Sequence, residues 1–242
     1  MRIVITGAAG KIATQAIEEL HAFHDLCLTD IRSLNSRSSV VADLAKPANE
    51  HSLDSVFADA DAVLHLAANA DQHASWREVS GANVEATRNV LEAAAKHRVP
   101  RFVFASSNWA VKALENELAP RCYLPTGPKI GSHAPPCPVN AYGLSKALGE
   151  AAGRMFVDQD RLESVVAVRI GAYRTTPTEQ EEVQRLWIGI NDMRSLLRRC
   201  LEAEFAGFHV VYGVSAQSSA PYDLTHTQTL LSWRPSQIAS SK

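Results

Sequence analysis

No apolar stretch of the sequence is long enough to span a bilayer, so a membrane protein is not expected. Basic excess is missing as well: 24 Lys and Arg stand against 26 Asp and Glu, a formal net charge of −2 at pH 7. A surface built to neutralise nucleic-acid phosphates or an anionic membrane is therefore not expected either. Cysteine is scarce. The four, Cys27, Cys122, Cys137 and Cys200, form no CxxC pair, and no histidines gather at metal-ligand spacing, so neither disulfides nor a metal site is expected. The sequence holds no internal repeat and no low-complexity tract. It opens directly on a strand, Arg2–Thr6, without the basic segment and apolar run of a secretory signal, which reads as a cytoplasmic protein in a reducing compartment.

What remains is an ordinary globular composition, and 242 residues suffice for one large α/β domain or one with a small appendage. Apolar runs of strand length lie at Ile3–Thr6, Leu26–Thr29, Val40–Ala42, Ala62–Leu66, Phe102–Ser106 and Val165–Arg169. Helix-like stretches separate them at Ile12–Phe23, Leu53–Ala58, Val79–His97 and Ala141–Phe156. Short, nearly all-apolar strands alternating with helices predict a parallel sheet covered on both faces, a doubly wound α/β fold. Residues 1–170 read as the Rossmann domain and 171–242 as a small C-terminal substrate-binding portion packed on it. Two stretches break the rhythm. Proline-rich Asn108–Asn140 reads as a long loop and Thr175–Gln184 as a polar, acidic one; each suits either substrate contact or variable surface. The serine-rich end, Ser236–Lys242, reads as a frayed tail.

After the first strand comes Gly7-Ala8-Ala9-Gly10-Lys11-Ile12-Ala13. Gly7 permits a tight turn, Gly10 lets the backbone approach a pyrophosphate, and Ala13 is small enough for helix–strand packing. The following helix points its amides and positive dipole end at the phosphates. Asp30 closes the second strand, where an acid binds the adenosine ribose hydroxyls; a carboxylate there favours NAD over NADP, and Arg32 softens the preference. Asp43-Leu44 follows the third strand, with Asp43 open to reading as a turn aspartate. His65-Leu66-Ala67-Ala68 ends the fourth with small residues that allow close approach to the cofactor, and His65 reads as a hydrogen-bonded strand-end residue rather than a base.

Tyr142 and Lys146 stand four residues apart on one helix face. A phenol is a poor base near neutral pH, but a nearby ammonium lowers its pKa. The pair then moves a proton to or from a substrate hydroxyl, and Ser107 at the end of the fifth strand hydrogen-bonds the reacting oxygen.

Together TGAAGxxA, Asp30, Asp43-Leu44, HLAA, Asn83 within GANVEATRNVL, ASSN ending at Asn108, and YGLSK resemble the extended short-chain dehydrogenase/reductases of the NAD-dependent epimerase/dehydratase branch. The likeness covers the whole chain and is greatest to the uronate dehydrogenase-like group, through Phe104–Asn108, Val168-Arg169-Ile170-Gly171, Val211–Ala216 and Leu230–Pro235. It implies Ser107, Tyr142 and Lys146 as the catalytic triad, Asn108 on the sugar, Asp43-Leu44 on the adenine and Lys146 on the nicotinamide ribose. It also implies that Gly7, Gly10, Lys11, Ile12, Asp30, Leu66, Ala67, Ala68, Asn83, Tyr142 and Ile170 line the NAD site. The implied reaction is oxidation of the C1 hydroxyl of a hexuronate or aldose to a lactone. A uronate carboxylate calls for an arginine, for which Arg174 and Arg185 are the candidates. Trp187 reads as core packing near that segment. Helices Val79–His97 and Ala141–Phe156 are the faces such proteins use to form a homodimer or higher homo-oligomer. Two other readings share these motifs: a nucleotide-sugar epimerase or dehydratase, and an NAD(P)-binding regulatory protein without turnover, which would need no proton relay.

Overall fold

The structure, a computed structural model, describes residues 1–34, 38–46, 50–177 and 179–239. Seven strands form one all-parallel sheet: β1 (Arg2–Thr6), β2 (Asp25–Asp30), β3 (Ser39–Val41), β4 (Ala62–His65), β5 (Arg101–Ser107), β6 (Ser164–Ile170) and β9 (Gly207–Gly213). Their order is β3-β2-β1-β4-β5-β6-β9. The chain winds outward from β1 to β3, then crosses back to lay β4 against the other side of β1. That reversal makes the β1–β4 boundary the switch point of a doubly wound sheet, where a crevice opens beyond the carboxyl ends of the strands.

Strand side chains alternate between two cores, as the period of two requires. Ile3, Ile5, Leu64, Val103, Val166 and Val168 face one side, packed under α1 (Lys11–Leu20) and α8 (Ile190–Glu202). Val4, Val63, Phe102, Phe104 and Val165 face the other, under α2 (Glu50–Phe57), α4 (Ala86–Lys96) and α6 (Ala141–Asp158). Burial on both faces explains why these strands read as continuous apolar runs.

Several elements depart from the sequence reading. Val79–His97 is not one helix: α3 (Trp76–Val79) leads into a π-helical segment, Ser80–Glu85, before α4 begins. Asn108–Asn140 is not all loop. It holds a 3₁₀ turn at Asn108–Val111, helix α5 (Lys112–Leu118) and a second 3₁₀ turn at Arg121–Tyr123, because its prolines begin only at Pro120 and leave the strong helix formers before it free to coil. β9 escaped notice because glycines bound it and His209 interrupts its apolar run. It extends the main sheet from β6, so the described residues from α8 to Trp233 share the sheet's cores. Short strands β7 (Ala172–Tyr173) and β8 (Trp187–Ile188) pair with each other around α7 (Glu181–Leu186), and α9 (Thr225–Leu231) follows β9. The start of the supposed frayed tail is docked: Ser236 N and Gln237 N donate to the buried Asp192 carboxylate at 2.8 and 3.0 Å. Residues 240–242 lie outside the described residues. No helix among the described residues is long and apolar enough to cross a membrane.

Candidate active site

The glycine turn sits at the switch point. Gly7 has φ +67°, and a Cβ there would lie 2.6 Å from the Ala67 backbone, so both conformation and space demand glycine. Gly10 N donates to Gly7 O at 2.9 Å, and Ala8 N to Thr29 O at 3.2 Å, closing the turn against β2. Gly10 caps α1 without any side-chain hydrogen bond, and the first turn of α1 holds no acidic residue. Its leading amides are thus left for an outside acceptor, the condition a pyrophosphate needs. Lys11 is exposed and Ile12 half-buried at this mouth.

Asp30 is buried at the end of β2. Its Oδ2 accepts from Ala9 N at 2.9 Å, and its Oδ1 accepts from Arg32 N at 2.9 Å and Arg32 Nε at 3.3 Å. The acid therefore braces the glycine turn at Ala9. The Asp43 carboxylate takes up the turn that follows β3. It accepts from Ala45 N at 3.1 Å and pairs with Lys46 at 3.0 Å, and the Lys46 bond holds its pKa below the ordinary carboxylate value. Leu44 is buried, and its carbonyl accepts from Asn89 Nδ2 at 2.8 Å. Leu66, Ala67 and Ala68 run half-buried past Gly7, while Ile170 closes β6 opposite Ser107.

His65 locks the floor between these parts. Its Nδ1 lies 2.7 Å from Thr6 Oγ1 and its Nε2 3.0 Å from Thr87 Oγ1. Thr87 already donates its O–H to the Asn83 carbonyl, so it can only accept from His65. The proton therefore sits on Nε2, and Nδ1 accepts from Thr6. Burial, then the Lys146 charge, push the His65 pKa down to about 3, and with both nitrogens bonded to threonines the ring is too weakly basic and too committed to serve as a general base. Asn83 itself, inside the π-helical segment, donates from Nδ2 to Ser145 Oγ (2.9 Å) and Asn69 O (3.0 Å) and accepts from Asn69 N at 2.7 Å. The wide turn thus ties the β4 loop to α6. Both hydrogens of its Nδ2 and one lone pair of its Oδ1 are taken up by protein partners.

Ser107, Tyr142 and Lys146 converge at the end of β5. Asn140 caps α6 by accepting from Gly143 N at 2.7 Å, which starts the helix at Ala141 and aims Tyr142 back at β5. The Tyr142 hydroxyl meets Ser107 side chain to side chain. Lys146 is buried. Its Nζ donates to Ala105 O at 2.7 Å and lies 5.8 Å from the Tyr142 ring centre and 5.2 Å from that of Phe104. Burial brings the Lys146 pKa down to about 8. The expected lowering of the Tyr142 phenol by this ammonium is not what the geometry gives. Burial is the largest influence and raises the Tyr142 pKa, with the Ser107 contact acting the other way.

Two buried polar clusters stand behind this strand end, and the sequence reading missed both. Glu150 on α6 accepts two bonds from Arg169, at 2.9 and 2.8 Å, and one from Ser106 Oγ at 2.6 Å. Burial opposes the Arg169 charge, but Glu150 more than offsets it and the Arg169 pKa lies above its ordinary value. On α5, buried Glu115 accepts from Lys112 Nζ at 2.7 Å, Tyr123 OH at 3.0 Å and Tyr222 OH at 2.7 Å. The one sequence signal for the second cluster was the three-residue spacing of Lys112 and Glu115, which is common on solvated helix faces.

The candidate arginines part company. Arg174 is exposed, and its backbone serves β8: its carbonyl accepts from Trp187 Nε1 at 3.1 Å. Trp187 is buried, as the packing reading expected. Arg185 pairs with Glu181 and lies over the Tyr123 ring, 4.4 Å from its centre, at the edge of the Glu115 cluster. Among the described residues, no three His, Cys, Asp or Glu side chains gather closely enough to hold a metal ion.

A parallel seven-stranded sheet with a glycine turn at its switch point is a Rossmann-type architecture. The chain belongs to the NAD dependent epimerase/dehydratase family, whose model matches residues 3–182. It is similar to the L-arabinose 1-dehydrogenase (NAD(P)(+)) of Haloferax volcanii, 32% identical over 97% of this chain and 96% of that protein. A uronate dehydrogenase of Pseudomonas putida is 30% identical over 95% of this chain and 82% of its own length. A uronate dehydrogenase mutant from Agrobacterium tumefaciens, solved in complex with NAD, superposes with a TM-score of 0.83 at 28% identity, covering 98% of this chain and 85% of that one.

Proposed function

We propose that the protein is an NAD-dependent dehydrogenase that oxidises the C1 hydroxyl of a free sugar, a hexuronate or an aldose, to its lactone. The observation that carries this reading is the convergence of Tyr142 and Ser107 with the buried Lys146 at the carboxyl end of β5, two strands across the switch point from β1 and the uncapped helix α1. The whole-chain likeness to sugar dehydrogenases supports the substrate class.

The residues divide the work. Gly7, Gly10 and the first amides of α1 would cradle the pyrophosphate, with Asp30 on the adenosine ribose and Asp43 and Leu44 near the adenine. Bound NAD supplies the acceptor for the hydride leaving C1. Ser107 holds the reacting oxygen, and Tyr142 takes the hydroxyl proton as general base. Lys146 commits one N–H to Ala105 O and has others to hold a nicotinamide ribose hydroxyl. Asn108 and the 171–242 portion contribute to the sugar side. Arg174 and Arg185 are the candidates for holding an anionic substrate. Leu144, Leu148 and Met155 expose apolar side chains along α6, which supports pairing of that helix with a second copy. A cytoplasmic location accompanies this reading.

The test is NADH formation, followed by absorbance, with galacturonate, glucuronate, arabinose, galactose and glucose 6-phosphate. Rapid reduction with a free sugar supports the proposal. No reduction with any of them, despite tight NAD binding, sinks it, and conversion of a nucleotide sugar without net reduction would point to an epimerase. Tyr142→Phe should lower turnover by at least about 100-fold and leave NAD binding intact, since general base catalysis is worth about that factor or more. Full activity in Tyr142→Phe would refute the assigned proton transfer.

A further inference from the structure

A cleft of about 300 Å³ opens beside edge strand β9, and none of the residues named above for NAD, catalysis or the sugar lines it. Three histidines from three parts of the chain meet there: His133 in the proline-rich segment, His209 on β9 and His226 on α9. His226 stands in the middle, its ring centre 5.6 Å from that of His133 and 5.4 Å from that of His209. His209 Nε2 lies 2.9 Å from Ala206 O. A carbonyl only accepts, so Nε2 carries the hydrogen and Nδ1 is left with a lone pair that a proton can occupy. Among the described residues, these imidazoles and their neighbours are not gathered closely enough to share a metal ion.

The charged groups beside them are few, and all but one are committed. Arg169 on β6 and Glu150 on α6 form the buried pair described above, and Tyr212 OH on β9 lies 3.2 Å from Arg169 Nη1. At the start of α9, Asp223 accepts from Thr225 N and Oγ1 at 2.8 and 2.6 Å. Arg154 on α6 differs. Asp158 takes its Nε, at 2.9 Å to each oxygen, and the guanidinium lies over the Phe208 ring, 6.0 Å from its centre. That leaves the four N–H groups of its terminal nitrogens for another acceptor. Arg154 and Arg169 outnumber Glu150, so the lining is cationic even with every histidine neutral. A proton on His226 is opposed by burial and then by the two imidazoles beside it, which hold its pKa below the ordinary value. An anion in the cleft offsets that opposition, so anion and proton should bind together.

We propose that this cleft binds an oxyanion, a phosphate, sulfate or carboxylate group, held by Arg154 and by a His226 imidazolium that takes its proton from solvent as the anion arrives. Apolar walls from Pro135, Phe208 and Val210 suit such a group carried on a small organic molecule. The site is independent of the proposed sugar oxidation and stands or falls apart from it.

Histidine side-chain NMR with added sodium sulfate tests it, at an ionic strength kept constant with sodium chloride. Sulfate keeps its charge from about pH 6 to about pH 8, so a pH dependence of binding belongs to the protein. The His226 signal, identified by its absence in His226→Gln, should shift saturably and titrate at higher pH when sulfate is present. Affinity should tighten by up to about tenfold per pH unit on acidification, the limit for uptake of one proton. Arg154→Gln, a change on an exposed helix face, should weaken sulfate by about tenfold or more, the usual worth of a hydrogen bond to a charged group. His226→Gln should bind weakly and lose most of the pH dependence. Sodium acetate in place of sulfate separates the sources: tighter sulfate marks a phosphate-like ligand and tighter acetate a carboxylate. No saturable shift with either anion at about pH 6 overturns the proposal. So does an affinity that ignores pH, or one that Arg154→Gln leaves unchanged.

Discussion

Acidification should strike this protein through His65. The imidazole is buried with both nitrogens committed to threonine hydroxyls, and its pKa is brought down to about 3 from an ordinary 6.5. The unfolded chain takes up a proton near 6.5, whereas the folded one resists it until about 3. Stability from this residue is therefore complete above pH 6.5 and is lost as pH falls through the window below it. One proton of difference changes stability by about 1.4 kcal/mol per pH unit, which gives about 2 kcal/mol by pH 5 and about 5 kcal/mol by pH 3. Either figure is a large share of the stability of a typical domain. Urea unfolding at pH 7, 6 and 5 measures it, with His65→Gln as the reference that cannot titrate in this range. The variant should be less stable at pH 7, by about 1 kcal/mol for the disturbed hydrogen bonds. Across the acid window it should lose about 2 kcal/mol less than the unaltered protein. Parallel pH curves for the two proteins, or a His65 imidazole resonance that titrates near 6.5, would refute the reasoning.

Asp30→Ala should weaken NAD more than NADP. Both cofactors lose the bracing of the turn at Ala9, but only NAD loses a partner for its ribose hydroxyls, so cofactor titrations that show equal losses would remove Asp30 from the ribose. Glu150→Gln leaves the buried Arg169 guanidinium without its counter-charge. Urea unfolding should show a cost of about 3–5 kcal/mol, and a change within the scatter of a surface substitution would mean that Arg169 finds compensation elsewhere.

Much of the fold was legible because its signals are local. The strands buried on both faces betray themselves as apolar runs, and Gly7 is required by a backbone angle that its motif already encodes. The meeting of Ser107 with Tyr142 could be anticipated from motif order. The π-helical segment could not, since Gly81-Ala82-Asn83-Val84 fits helical spacing and the partners that Asn83 finds there, Asn69 and Ser145, are distant in sequence. Nor could the Glu115 cluster. Glu115 and Tyr222 are 107 residues apart and meet only when β9 brings the C-terminal stretch beside α5. The direction of the phenol's shift was misjudged for a related reason: burial is a property of the assembled fold, while the Tyr142–Lys146 spacing is visible in the sequence.

The widened turn at Ser80–Glu85 has a consequence for how this chain can vary. Deleting one residue there would anneal the segment into a continuous α-helix, the more regular structure by any local measure. It would also rotate everything on one side of the cut by about 100° relative to the other. The loop bonds of Asn83 and the Thr87 contact that holds His65 could not both survive such a phase change. Length at this point is therefore a constraint in its own right: side chains on the outer face of α4 are free to drift, but the number of residues between His65 and Thr87 is not.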